Sequence, residues 1–182
     1  MDRRGRGVLL ATMAVVLLVS MSGAPRAGAA AGGLLEDATG IPGALQKAIA
    51  GKVIVYTLTL YDDNAIVDVQ QADHKENIDR YTYRDGAVGK AVPVKMHGRY
   101  TQADLDAAVF PLESIDFSLV PRMIADARKQ LAMPDGKAGG LTLKNGRAHH
   151  QPYWHIGLSN DRQIGAVEYD LKGRQLKVMA KR

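Results

Sequence analysis

Histidine is the residue type in this 182-residue chain best suited to chemistry. His149, His150 and His155 lie close together, while His74 and His97 stand apart. Neutral imidazoles bind zinc and copper well, so the three clustered rings are the candidate metal ligands. A structural zinc site wants about four ligands in a closed set. No carboxylate or fourth ligand stands at matching spacing here, and the absence of cysteine removes thiolate sites and disulfides together. The expectation is therefore no bound cofactor, with His149, His150 and His155 as the only metal candidates.

Other reactive residue types have ordinary explanations. Ser114, Ser118 and Ser159 lie outside any G-x-S-x-G setting. Ser118 reads as a helix cap and Ser159 as a turn residue. Asp62-Asp63 and Asp104/Asp106 fall in a turn and on a short helix, where solvated acids are normal. The stretch Gly86-Ala-Val-Gly89 follows a hairpin turn and opens no helix, so it cradles no phosphate. These residues point away from an enzyme.

The elements that must position the histidines are legible from periodicity. Residues 152–158, 163–170 and 174–180 read as strands, and 141–144 begins a strand before an Asn145-Gly146 turn. Alternate residues of a strand point to opposite faces. One set holds Leu141, Leu143, Trp154, Ile156, Leu158, Val167, Tyr169, Leu176 and Val178, apolar enough to meet a helix. The other holds Thr142, Lys144, Tyr153, His155, Gly157, Glu168, Lys177 and Met179. A helix covers only one face, so the second face must meet solvent or a partner. Tyr153, His155, Lys144, Lys177 and Met179 are its candidate partner-binding residues, because Tyr, Met and long cationic side chains suit protein contacts.

The helix for that sheet carries Val120, Ile124, Ala127 and Leu131 as one stripe, with Asp116 or Ser118 as cap and Pro121 in the first turn. An earlier stretch has the same layout. Ile41, Leu45, Ala48 and Ile49 make a helical stripe, followed by strands at 53–61, 65–70, 78–84 and 88–95, with Pro93 marking an edge. Leu45 to Tyr83 and Leu131 to Tyr169 are both 38 positions. In the first strand, both Ile54/Tyr56/Leu58/Leu60 and Val53/Val55/Thr57/Thr59 are largely apolar, which suggests a sheet covered on both sides. Between the halves, Thr101 caps a short helix over 102–108, and Phe110, Leu112, Ile115 and Phe117 pin the connector to the body.

The chain begins with Asp2, Arg3, Arg4 and Arg6, an apolar run from Val8 to Met21, and the small residues Ala27-Gly28-Ala29-Ala30. This is the layout of a secretory signal peptide cleaved after Ala29. The run is too short to span a bilayer of roughly 30 Å, so no stable membrane insertion is expected after cleavage. Without cysteine, a lipid-anchored mature start is not expected either. The printed charge of +5 includes a leader with four Arg and one Asp, leaving 20 basic and 18 acidic residues, a net of +2. That balance, without a dense Lys/Arg run, excludes a nucleic-acid footprint.

The order of residues 118–180 is helix, Pro-Asp-Gly, strand, Pro-Tyr-Trp-His-Ile strand, Val-Glu-Tyr-Asp strand, Lys-Gly turn and strand. It resembles a PepSY-like unit, an exported α+β module with an antiparallel sheet packed on a helix. Two units in tandem also resemble the architecture of β-lactamase-inhibitor-like proteins. The resemblance covers roughly residues 41–180. In the first half no tryptophan stands at the corresponding strand, and the loop after Gln70 is longer. It implies binding, regulation or inhibition of other proteins, and it carries over no catalytic residue.

The expected fold class is thus α+β, with two tandem helix-plus-antiparallel-sheet units. The expected organisation is a leader at 1–29, a first unit at 30–95, a connector at 96–117 and a second unit at 118–182. The expected role is a periplasmic or secreted, non-enzymatic module that binds a protein or peptide of the bacterial cell envelope. The alternatives are an inhibitor or immunity-type protein of an envelope hydrolase, and a histidine-based metal-binding envelope protein.

Overall fold

The computed structural model describes residues 33–96, 101–146 and 149–181. The expected leader at 1–29 and His97 lie outside these residues. Helix α1 (Ile41–Ala48) starts with Pro42 in its first turn and buries Ile41 and Leu45. Strands β1 (Ile54–Leu60), β2 (Asn64–Gln70) and β3 (Ile78–Arg84) follow, then the two-residue strands β4 (Ala87–Val88) and β5 (Val92–Pro93). Helix α2 (Gln102–Ala108) is held by a reciprocal capping box between Thr101 and Asp104. After the short strand β6 (Phe110–Pro111) and two 3-10 turns comes helix α3 (Val120–Gln130). Asp116 accepts from the Ser118 backbone N–H and hydroxyl, so it caps the 3-10 turn that leads into α3 rather than the helix itself. Strands β7 (Lys137–Gly146), β8 (Gln151–Ser159), β9 (Ile164–Asp170) and β10 (Gln175–Lys181) complete the chain.

All ten strands belong to one sheet, in the order β10-β9-β8-β7-β1-β2-β3-β4, with β5 beside β3 and β6 beside β1. This overturns the expected pair of helix-plus-sheet units, whether PepSY-like or β-lactamase-inhibitor-like. The decisive contact is antiparallel pairing of β1 with β7, from Thr57 opposite Lys144 to Leu60 opposite Leu141. Had the halves stayed separate, β1 and β7 would each present an open backbone edge beside large apolar side chains. Joined, they leave Leu58, Leu60, Leu141 and Leu143 with no exposed surface. A single apolar cluster then runs from Ile41 and Leu45 under α1, through those leucines, to Val120, Ile124 and Trp154 under α3. Spacing along a chain reports each half's own elements, but not which strands meet across the halves.

A bulge resolves the two-sided look of the first strand. Val55 faces Val69 and Thr57 faces Asp68, so Tyr56 is the extra residue. The slip puts Val53, Val55, Leu58 and Leu60 on one face, where all are buried, and leaves Thr57 and Thr59 on the other. The first half is therefore not apolar on both sides. Other elements also move. The expected strand at 88–95 is two short fragments, and Asn145 and Gly146 are strand residues of β7 rather than a turn. The connector behaves as its apolar residues suggest, with Phe110, Leu112, Ile115 and Phe117 all in the core.

Candidate functional site on the outer sheet face

Helices α1 and α3 place their buried residues in the core cluster, so both lie on one face of the sheet. The register then lays out the other face in rows. Arg80, Asp68, Thr57, Lys144, Tyr153 and Asp170 stand side by side across β3, β2, β1, β7, β8 and β9. The next row is Thr82, Ile66, Thr59, Thr142, His155, Glu168 and Lys177, reaching β10. Met179 follows, opposite Ala166. All five sequence-selected residues stand on this outer face, but they are not equivalent there.

Tyr153 is only 6% exposed. The His149 ring meets its edge at 4.7 Å between centroids and 77°, and the Lys144 ammonium lies 5.9 Å from its centroid. Gly146 supplies the rest of the cover, since a Cβ there would stand 2.8 Å from Tyr153 Cε1. Tyr153 is thus a support for the surface. Lys144 and Lys177 are exposed, and His155 and Met179 are half-buried.

The histidines converge on a residue that the site reading did not select. His149 Nε2 lies 2.7 Å from Glu168 Oε2, and His155 Nδ1 lies 3.4 Å from Oε1. His150 sits in the turn at φ 52°, exposed, and does not join them. Burial pushes the Glu168 carboxyl up, but the hydrogen bonds from His149 and then His155 outweigh it and hold it below the usual glutamate value. Among the described residues, no group of three or more histidines and carboxylates is arranged to hold a metal ion. Both rings instead spend a nitrogen on one carboxylate.

Two more acids are buried on the same face. Asp68 receives both Nε and Nη2 of Arg80, at 2.7 and 2.9 Å, and the Thr57 hydroxyl at 3.2 Å. Asp170 accepts from the backbone N–H groups of Lys172 and Arg174 and from Arg174 Nε at 2.6 Å. Burial raises the Asp170 carboxyl, but those donors, the Arg174 backbone first, leave it below the ordinary value. The available signal for Glu168 and Asp68 was the alternation itself, which puts each acid at an outward position of its strand. The serines are locally engaged, with Ser114 Oγ on the Pro111 carbonyl and Ser118 Oγ on Asp116.

No family model matches the chain, so none supports the PepSY-like resemblance. No curated protein matches it either. Among solved structures, the chain is similar to a "putative lipoprotein" of Clostridium difficile 630, with a TM-score of 0.52 and 17% identity over 82% of this chain and 99% of that one. At that identity the likeness is one of fold. No helix among the described residues is long and apolar enough to cross a membrane.

Proposed function

We propose that this chain is an exported, non-catalytic module that binds a protein or peptide of the cell envelope on the outer face of its sheet. The carrying observation is the one-sided placement of α1 and α3. Both leave the rows around Thr142, His155 and Lys177 uncovered, with Lys144, Lys177, His155 and Met179 exposed in whole or in part. The buried acids within those rows are already engaged by Arg80, Arg174 or the two histidines, so the surface is fixed before any partner arrives. A preorganised surface avoids part of the ordering cost of association. Export is supported by the composition of residues 1–29 and is compatible with the description of the structural neighbour.

A photo-crosslinking amino acid placed at His155 or Met179, with Lys47 on α1 as the control position, tests this in the producing cell. The expected result is a discrete crosslinked species from the two outer-face positions and none from position 47. Equal labelling at all three positions, or no adduct at any, would remove the reading.

A further inference from the structure

The two ends of the sheet are finished differently. At the first end, β4 pairs with Tyr83 and Arg84, and β5 with Asp79 and Arg80, so two short fragments cover the open side of β3. The Gly89 N–H donates to the Thr82 carbonyl and the Val94 N–H to the Ile78 carbonyl, and Pro93 blunts what remains. At the other end, β10 has seven residues and, among the described residues, pairs only with β9. It contains neither proline nor glycine. Alternate backbone N–H and C=O groups of such a strand point outward and are free to pair.

The helix side of β10 is open as well. Helix α3 packs chiefly on β8 and β9. Val178, expected in the core, is therefore 37% exposed, and Leu176 is half-buried. A cleft of about 520 Å³ lies between α3 and the start of β10, lined by Arg122, Met123, Asp126, Lys129, Tyr169 and Gln175 among others. Asp126 is its single acid, and it accepts the Tyr169 hydroxyl at 2.9 Å and Gln130 Nε2 at 3.4 Å. The cations are not so engaged. Arg122 and Lys129 on α3, with Lys172 and Lys177 on the sheet side, are exposed and join no ion pair among the described residues.

We infer that β10 and the cleft beside α3 receive an extended acidic segment of another polypeptide, added to the sheet as a further strand. Its backbone would complete the outward groups of β10. Side chains on one face would reach Val178, Arg122 and Lys129, and those on the other would pass Lys177. Charge selects this occupant over a second copy of the chain, because two β10 strands side by side would bring like charges together. The site shares Lys177 with the outer face but is built on the β10 edge and the cleft, and it stands whether or not that surface binds.

The test uses the whole chain and a fluorescein-labelled peptide alternating Glu and Val over seven residues. Its comparators are a Lys/Val peptide and an acidic peptide of equal charge interrupted by prolines. Saturable anisotropy is expected with the Glu/Val peptide, together with slowed hydrogen exchange at amides 176–180. R122E/K129E is expected to weaken it by about tenfold or more. Both positions are exposed, so the variant should fold, and its circular dichroism checks that. The proline-interrupted peptide should bind at least about tenfold more weakly, because proline cannot donate to the ladder. Equal binding of the proline peptide would reduce the effect to surface charge and overturn strand addition. Binding unchanged by R122E/K129E, no binding at millimolar peptide, or sedimentation showing β10-dependent dimers would overturn the inference.

Discussion

Asp68 and Glu168 are both buried carboxylates on the outer face, at 5% and 8% exposure, yet they are satisfied by different chemistry. Asp68, on the flank formed by β1 to β4, is gripped by the Arg80 guanidinium and the Thr57 hydroxyl. Glu168, on the flank formed by β7 to β10, is gripped by two imidazoles. A guanidinium grips a carboxylate through two donors of one rigid plane, whereas an imidazole offers it a single nitrogen. The first flank is thus held by a bidentate pair, and the second by two separate rings that each give one nitrogen to the carboxylate. The cores beneath differ in the same sense. On β2 the inward residues are Ala65, Val67 and Val69, while on β8 they are Trp154, Ile156 and Leu158. Trp154 meets Phe117 edge-on at 6.4 Å. The second flank concentrates the bulk, and the first is built from smaller inward side chains.

The largest expected effect tests the core half of that contrast. Trp154→Ala should cost about 4 kcal/mol and Val67→Ala about 2 kcal/mol in urea unfolding, because the deleted volume and the cavity left behind are larger at Trp154. Equal losses would mean that the flanks share their core load evenly. Next, Arg80→Ala should cost about 2 kcal/mol, since it strips a buried carboxylate of its main partner while Arg80 itself is half in solvent. This loss should be the same at pH 6 and pH 8. His149→Ala should cost about 1 kcal/mol, removing the ring contact with Tyr153 and one bond to Glu168. A His149→Ala loss as large as that of Arg80→Ala would erase the difference between the flanks.

The smallest effect concerns the acid limb. Glu168 has a lowered folded-state pKa, so its contribution is fully present above the ordinary value of 4.5 and is lost as pH falls from there through the folded value. Glu168→Gln should flatten the stability profile below pH 4.5, measured by thermal melts at closely spaced pH. An unchanged acid limb would show that Asp170, also held below its ordinary value, dominates that region instead.

Much of the local structure was readable because it follows local rules. The stripe Val120, Ile124 and Ala127 does face the core, the box at Thr101 and Asp104 does form, and Trp154 and His155 do point to opposite faces. The site was only partly readable. Lys144, His155, Lys177 and Met179 follow from alternation, as does the face of Tyr153, but its burial does not. That burial needs the His149 ring, the Lys144 ammonium and the bare backbone of Gly146 in one place. Glu168 escaped selection because His149, 19 residues away in sequence, reaches it only once β8 and β9 pair.

By itself, then, the sequence determined the placement of most strands and helices, the inward position of Trp154, and the split of the second half into an apolar and a polar face. These depend on periods of two and 3.6 residues and on caps, all of which act over a few positions. The tertiary structure alone decided that β1 joins β7 into one sheet, that a bulge at Tyr56 reverses the facing of the first strand, and that β10 ends the sheet while α3 packs chiefly on β8 and β9. Each of these rests on which distant segments meet, and such pairings depend on the burial they achieve together rather than on the propensity of either segment.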